Sequence, residues 1–228
     1  MSGRSAPRFV SLGDSYTIGE GVEPVESWPV CLAALLRRAG VPVEWPQIVA
    51  RTGWTTDELA AGIDAARPEG RFDLVTLMIG VNDQYRGRGP EEYRAGFRAL
   101  LQRAVAFAGG EAGRVIVVSI PDWGVTPFAE GRDRRGIAAE IDRFNGVCRD
   151  EALGAGARYV DVTRSSRRAG LAGEAGLLVS DNLHPSGVAY AEWARLILPA
   201  ALAALGDAAA GGPAPGEAAP GPPRRGDR

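Results

Sequence analysis

Leu74-Val75-Thr76-Leu77-Met78-Ile79 is an almost unbroken apolar run, preceded by Asp73 and closed by Gly80-Val81-Asn82-Asp83. A strand with one wet face alternates apolar and polar residues. A short run without alternation, bounded this sharply, marks a strand covered on both faces of a sheet. Residues 115–120 repeat the pattern, and residues 8–12 give a shorter case. Residues 43–49 are a weaker candidate whose Pro46 suits an edge strand, and residues 159–162 make a fifth.

Between these runs the apolar residues recur at helical spacing. Ser27 stands at a cap position with Pro29 in the first turn, and Leu32, Leu35, Leu36 and Ala39 follow until Gly40. Thr55 with Glu58 forms a capping box ahead of Leu59 and Ile63. Pro90 opens a helix with Glu91 and Glu92 in its favourable first turn and Tyr93, Phe97, Leu100, Leu101 and Ala104 on its core face. Ile137, Ile141, Phe144 and Cys148 mark the next helix. A polar, glycine-rich stretch, residues 163–176, then leads to Asp181, and a last helix carries Val188, Trp193, Leu196, Ile197 and Ala200. Five strands alternating with helices predict an α/β fold: one parallel sheet with helices on both faces.

The 228 residues suffice for one such domain, assigned to residues 1–206. Residues 207–228 are mostly Ala, Gly and Pro and read as a disordered tail, in which Arg225-Gly226-Asp227 is a chance tripeptide. A net charge of −2 gives no pull toward nucleic acid or anionic membrane. All 26 basic residues are arginine, which reads as composition bias. Cys31 and Cys148 fall in predicted helices without metal-ligand spacing and are expected to be small buried thiols. The polar N-terminus lacks the apolar region of a signal peptide, and no apolar run reaches the length of a membrane span. A soluble, cytoplasmic protein is expected.

Each distinctive loop follows a strand: Gly13-Asp14-Ser15-Tyr16, Arg51-Thr52-Gly53-Trp54, Gly80-Val81-Asn82-Asp83, Pro121-Asp122-Trp123-Gly124 and Asp181-Asn182-Leu183-His184-Pro185. A parallel sheet brings such loops to one edge, where ligands bind. A serine there is a weak nucleophile until a base takes its proton. His184 is the chain's one histidine, and Asp181, three residues earlier, is spaced to orient it. Gly53 N–H, the Asn82 side-chain amide and the Ser15 N–H can serve a developing oxyanion. Taken singly, His184 could pack on the last helix, and Gly53 and Asn82 could be turn formers. Their joint placement favours the catalytic reading.

These blocks, in this order over about 170 residues, resemble the SGNH (GDSL-type) serine hydrolases. The first, third and last match closely; the second is little more than Gly53. The resemblance implies a flavodoxin-like three-layer α/β/α sandwich with strand order 2-1-3-4-5. It implies Ser15 as nucleophile, His184 as base and Asp181 as its orienter, with the oxyanion hole at Ser15, Gly53 and Asn82. Tyr16 stands where the family nickname has leucine, at a position that varies. Asp14 is expected to brace the nucleophile loop by hydrogen bonding rather than to react.

The expected reaction is hydrolysis of a small-molecule carboxylic ester, of short- to medium-chain acyl or acetyl type, through an acyl-enzyme and without metal or organic cofactor. Acyl transfer to an alcohol through the same residues, and a non-catalytic flavodoxin-like binding module, are the alternatives; an activated serine would exclude the second. Trp54, Tyr85, Asp122, Trp123 and Phe128 lie on loops at the predicted edge and either line the substrate pocket or cover the core rim. Arg164, Arg167 and Arg168 read as a solvated charge run in preference to a seat for an anionic substrate.

Overall fold

The computed structural model describes residues 5–172 and 176–210. Five strands form one parallel sheet: β1 (Phe9–Gly13), β2 (Gln47–Ala50), β3 (Leu74–Met78), β4 (Val115–Val118) and β5 (Arg158–Val160). Their order is β2-β1-β3-β4-β5, the flavodoxin-like arrangement. β1 and β3 are buried along their whole length, as their largely apolar runs require, and their two polar residues, Ser11 and Thr76, pair their hydroxyls at 2.7 Å. β2, behind Pro46, is an edge strand.

Helices α2 (Trp28–Arg38) and α8 (Gly187–Ala210) pack together on one face. Helices α3 (Thr56–Ala66), α5 (Pro90–Phe107) and α6 (Arg134–Gly154) pack side by side on the other. The switch of face follows from chain order. β1 to β2 runs one way along the sheet, every later crossover runs the other way, and each is right-handed. Fully buried Trp28, Trp193, Tyr93, Phe97 and Phe144 fill the two layers; each such ring contributes roughly 1.5–3 kcal/mol by leaving water. The Tyr93 hydroxyl donates to the Ile79 carbonyl at 2.8 Å, which ties α5 to the end of the strand that carries Asn82.

Several local expectations change. Ser27 does occupy the cap position of α2, but its hydroxyl donates to the Pro24 carbonyl at 2.9 Å instead of capping the helix. Cys31 is only half-buried, whereas Cys148 is enclosed beside the Tyr93 hydroxyl. Residues 163–176 contain a further helix, α7 (Thr163–Ala172). It has no apolar stripe because polar groups anchor it. The Asp161 carboxylate accepts the Thr163 N–H at 2.9 Å, the Thr163 hydroxyl donates to the Ile120 carbonyl at 2.8 Å, and Ser165 donates to Glu192 at 2.8 Å.

Helix α8 holds a stretch, Gly187–Gly206, long and apolar enough by composition to cross a membrane, contrary to the reading of the sequence. Here it packs as a core helix through Tyr190, Trp193, Ala194, Ile197, Ala201 and Ala204, while Val188 and Leu196 face outward. It continues to Ala210, past the expected start of the tail at residue 207; residues 211–228 lie outside the described residues.

The register sets the strands' carboxyl ends level: Gly13 pairs with Ala50 on one side and Met78 on the other. Two four- to five-residue helices start just beyond, α1 (Ser15–Ile18) after β1 and α4 (Val81–Tyr85) after β3. Helix α1 folds back so closely that a Cβ on Gly13 would overlap the Thr17 hydroxyl and stand 2.6 Å from the Met78 carbonyl oxygen. Gly13→Ala is therefore expected to cost about 1–3 kcal/mol, seen as a lower urea midpoint at unchanged slope.

Candidate active site

The Asp14 side chain caps α1, its Oδ1 accepting the Tyr16 N–H at 3.0 Å. This puts Ser15 in the first turn, where backbone N–H groups lack partners within the helix. Ser15 is 4% exposed. Its Oγ lies 2.9 Å from His184 Nε2, joining residues 169 positions apart.

The other histidine nitrogen, Nδ1, lies 2.6 Å from Asp181 Oδ2. Asp181 Oδ1 accepts the backbone N–H groups of Leu183, at 2.8 Å, and His184, at 2.9 Å. Three residues of spacing suffice because Asn182 takes the left-handed conformation, φ 60°, and turns the chain back over its own carboxylate. Partial burial alone would raise the Asp181 carboxyl. The hydrogen bonds from the His184 ring and the two N–H groups outweigh it and hold Asp181 below the ordinary carboxylate value. An ionised Asp181 can only accept, so Nδ1 carries the ring proton and Nε2 is left to accept from the Ser15 hydroxyl.

Gly53 has φ 83°, a conformation that favours glycine and turns its peptide at the mouth of the site. The guanidinium of Arg86 fixes that peptide by donating to the Gly53 carbonyl at 2.7 Å. The Asn82 Nδ2 donates one N–H to the Trp54 carbonyl at 2.9 Å, which orients the amide and leaves its second N–H available. Behind Asn82, buried Asp83 binds the Thr56 N–H, the Thr56 hydroxyl and Arg88, linking α4 to the start of α3.

Ser15, Gly53, Asn82 and His184 line one cleft of about 180 Å³. Tyr85, Trp123 and Phe128 form an aromatic wall to it, with ring centroids 5.4–6.3 Å apart. Two residues expected in the pocket do not line it. The Trp54 ring packs on Gly62 of α3, where any Cβ would overlap it, and only the Trp54 carbonyl serves the site. Asp122 is 1% exposed and turns inward, accepting the Gly124 N–H and the Arg167 guanidinium; it lines a separate cavity of about 30 Å³.

Tyr16, Thr52, Val81 and Leu183 complete the cleft, each one residue from Ser15, Gly53, Asn82 or His184. Arg132 lies 5.3–5.6 Å from the centroids of all three wall rings, a placement that no local pattern announces. The arginine run is paired: Arg164 with Asp161, Arg167 with Asp122 and Asp142, and Arg168 with Glu192.

A family model described as the GDSL-like Lipase/Acylhydrolase family matches residues 11–192 of this chain. No curated protein sequence matches it. Among solved structures, TesA is similar with a TM-score of 0.64 at 21% identity, over 85% of this chain and 97% of its own. An acetyl xylan esterase from Geobacillus stearothermophilus has a TM-score of 0.65 at 21% identity, over 88% and 97%. The psychrotrophic esterase EstA from Pseudoalteromonas sp. has a TM-score of 0.62 at 17% identity, over 90% and 99%. At these identities the likeness establishes the fold.

The pairing of Arg167 gives a direct test of its role. Arg167→Met leaves the Asp122 carboxylate buried without its cation. The expected loss is about 2–3 kcal/mol in urea unfolding, below the full cost of an orphaned buried charge because Arg167 is partly exposed. KM for neutral esters is expected to stay unchanged.

Proposed function

The chain belongs to the GDSL-like lipase/acylhydrolase family and is an ester-bond hydrolase, and from that premise we propose that it is a serine esterase working through Ser15, His184 and Asp181. The observation that carries the reading is the hydrogen-bonded chain Ser15 Oγ–His184 Nε2 and His184 Nδ1–Asp181 Oδ2. Both histidine nitrogens are occupied in the order a general base requires.

Ser15 Oγ attacks the ester carbonyl as His184 Nε2 takes its proton. The charge gathers on the carbonyl oxygen, which receives the Ser15 and Gly53 N–H groups and the free Asn82 N–H. His184 passes the proton to the departing alcohol, leaving Ser15 acylated. A water then repeats the sequence, giving its proton to His184 and releasing the acid. Asp181 stays ionised throughout; it holds the ring tautomer and offsets the imidazolium charge.

The short cleft and its aromatic wall suit acetyl or short- to medium-chain acyl groups on small-molecule esters. The acetyl xylan esterase and EstA, the latter solved inhibited by monoethylphosphonate, are the similar structures that favour this substrate range.

Ser15→Ala is expected to lower p-nitrophenyl acetate hydrolysis by about 10³-fold or more and to abolish labelling by a fluorophosphonate, with the thermal midpoint preserved. Asn82→Ala is expected to lower kcat by about 10²–10³-fold. Because His184 must be unprotonated to accept from Ser15, kcat/KM is expected to fall toward acid pH. A kcat/KM that does not fall as the pH is lowered overturns the histidine base.

A further inference from the structure

Three aspartates near the sheet's carboxyl edge, Asp14, Asp83 and Asp122, are 0–1% exposed. Two are equipped as carboxylates. Asp83 receives the Thr56 N–H and hydroxyl and the Arg88 guanidinium, the last at 3.1 Å. Asp122 receives the Gly124 N–H and the Arg167 guanidinium, each within 2.9 Å. Asp14 has neither a cation nor a set of donors. Its Oδ1 accepts the Tyr16 N–H, and its equally buried Oδ2 has no partner.

The titratable groups that face Asp14 are the Asp83 carboxyl of α4, the Tyr16 phenol of α1 and the Tyr190 phenol of α8. None is a cation. A buried carboxylate with one hydrogen bond from another residue and no counter-charge is strongly disfavoured, whereas the protonated acid is a small neutral group.

We propose that Asp14 is a positioning residue that acts as a neutral carboxylic acid, holding the head of α1 through Oδ1 while the proton on Oδ2 removes the charge.

Burial, the largest influence, and the nearby Asp83 charge outweigh the Tyr16 N–H bond and the weaker contribution of Asp14's own N–H, and push the Asp14 carboxyl up to about 7. For catalysis the inference rests on the esterase reading: one residue before Ser15, a fixed negative charge would oppose the oxyanion gathering at the Ser15 N–H.

The sign of the effect on stability is fixed. The folded carboxyl keeps its proton to about pH 7, and the unfolded chain releases it near 3.8. Unfolding then releases a proton, so rising pH destabilises the wild type until the folded group also ionises. The thermal midpoint of Asp14→Asn minus that of the wild type is expected to grow by several degrees between about pH 4 and pH 7, then level off. A difference that shrinks or stays flat over this range overturns the proposal.

The carboxyl ¹³C resonance of Asp14 in the wild-type protein, assigned by its loss in Asp14→Asn, reports the same group without relying on the variant's folding. A titration midpoint near pH 7 supports a neutral acid, and one at or below the ordinary aspartate value, about 3.9, overturns it.

In the esterase assay near pH 6, Asp14→Ala is expected to lose about 10–10²-fold in kcat/KM, and Asp14→Asn to recover to within a few-fold of wild type. An Asn variant as impaired as the Ala variant shows that a charge is required. The stability and resonance measurements involve no turnover, so failure of the esterase reading leaves them decisive.

Discussion

The structure depends on one imidazole satisfying two partners from opposite ends of the chain. His184 must face Asp181 on its own loop and Ser15 at the end of β1, and a hydrogen bond fails beyond a few tenths of an ångström. The loop carrying His184 therefore has to be fixed relative to the sheet. Packing of α8 on α2 fixes it on one side. Tyr16, next to the serine, touches both the His184 ring at 5.1 Å and Trp193 of α8 at 6.1 Å between centroids. One aromatic side chain thus ties the β1 loop, the histidine and the core helix together. That gives Tyr16 a physical role at the position where the family nickname has leucine: a large ring spans a gap that a smaller side chain would leave to its neighbours.

What the sequence made legible follows from which interactions are local. β3 and β4 are buried on both faces, so their residues are apolar apart from Thr76, whose hydroxyl is satisfied by Ser11 of β1. The Thr55–Glu58 capping box is a contact within four residues, and the structure contains it, Thr55 N–H donating to Glu58 at 2.9 Å. The same holds for Asp181 and His184, where three residues of chain determine the approach. The order of the motif loops along a parallel sheet then placed them on one edge, because right-handed crossovers leave little freedom.

The features that escaped are those decided by tertiary partners. Helix α7 buries hydroxyls and an arginine–aspartate pair, so its apolar period is silent. Val188 and Leu196 are apolar and helical yet face outward, since the buried face of α8 is the one carrying Tyr190, Trp193, Ala194, Ile197 and Ala201. Trp54 and Asp122 sit on the right loops and point away from the cleft. A loop position fixes a residue's place on the edge to within a few residues; its side-chain direction depends on what lies beneath it, here Gly62 for Trp54 and Arg167 for Asp122.

The electrostatics of the edge reduce to where charge is held and where it is withheld. Asp83 and Asp122 each lie against an arginine, Arg88 and Arg167, which they share with the more exposed Asp57 and Asp142. Asp181 is partly exposed, with a side chain 41% accessible. Its charge lies against Nδ1 of the His184 ring, the ring that would become cationic in the proposed reaction when Nε2 takes a proton. Asp14 is nearest in sequence to Ser15, the proposed nucleophile, and is the one given no counter-charge. In the transition state of the proposed reaction a negative charge grows at the Ser15 N–H while a positive charge grows on the ring. In a low-dielectric site a fixed anion stabilises the second and opposes the first, according to distance. A carboxylate on the His184 side and an uncharged acid on the oxyanion side satisfy both demands at once. An aspartate at position 14 is then compatible with catalysis because of its shape and its hydrogen bond, and its usual charge is what the site excludes.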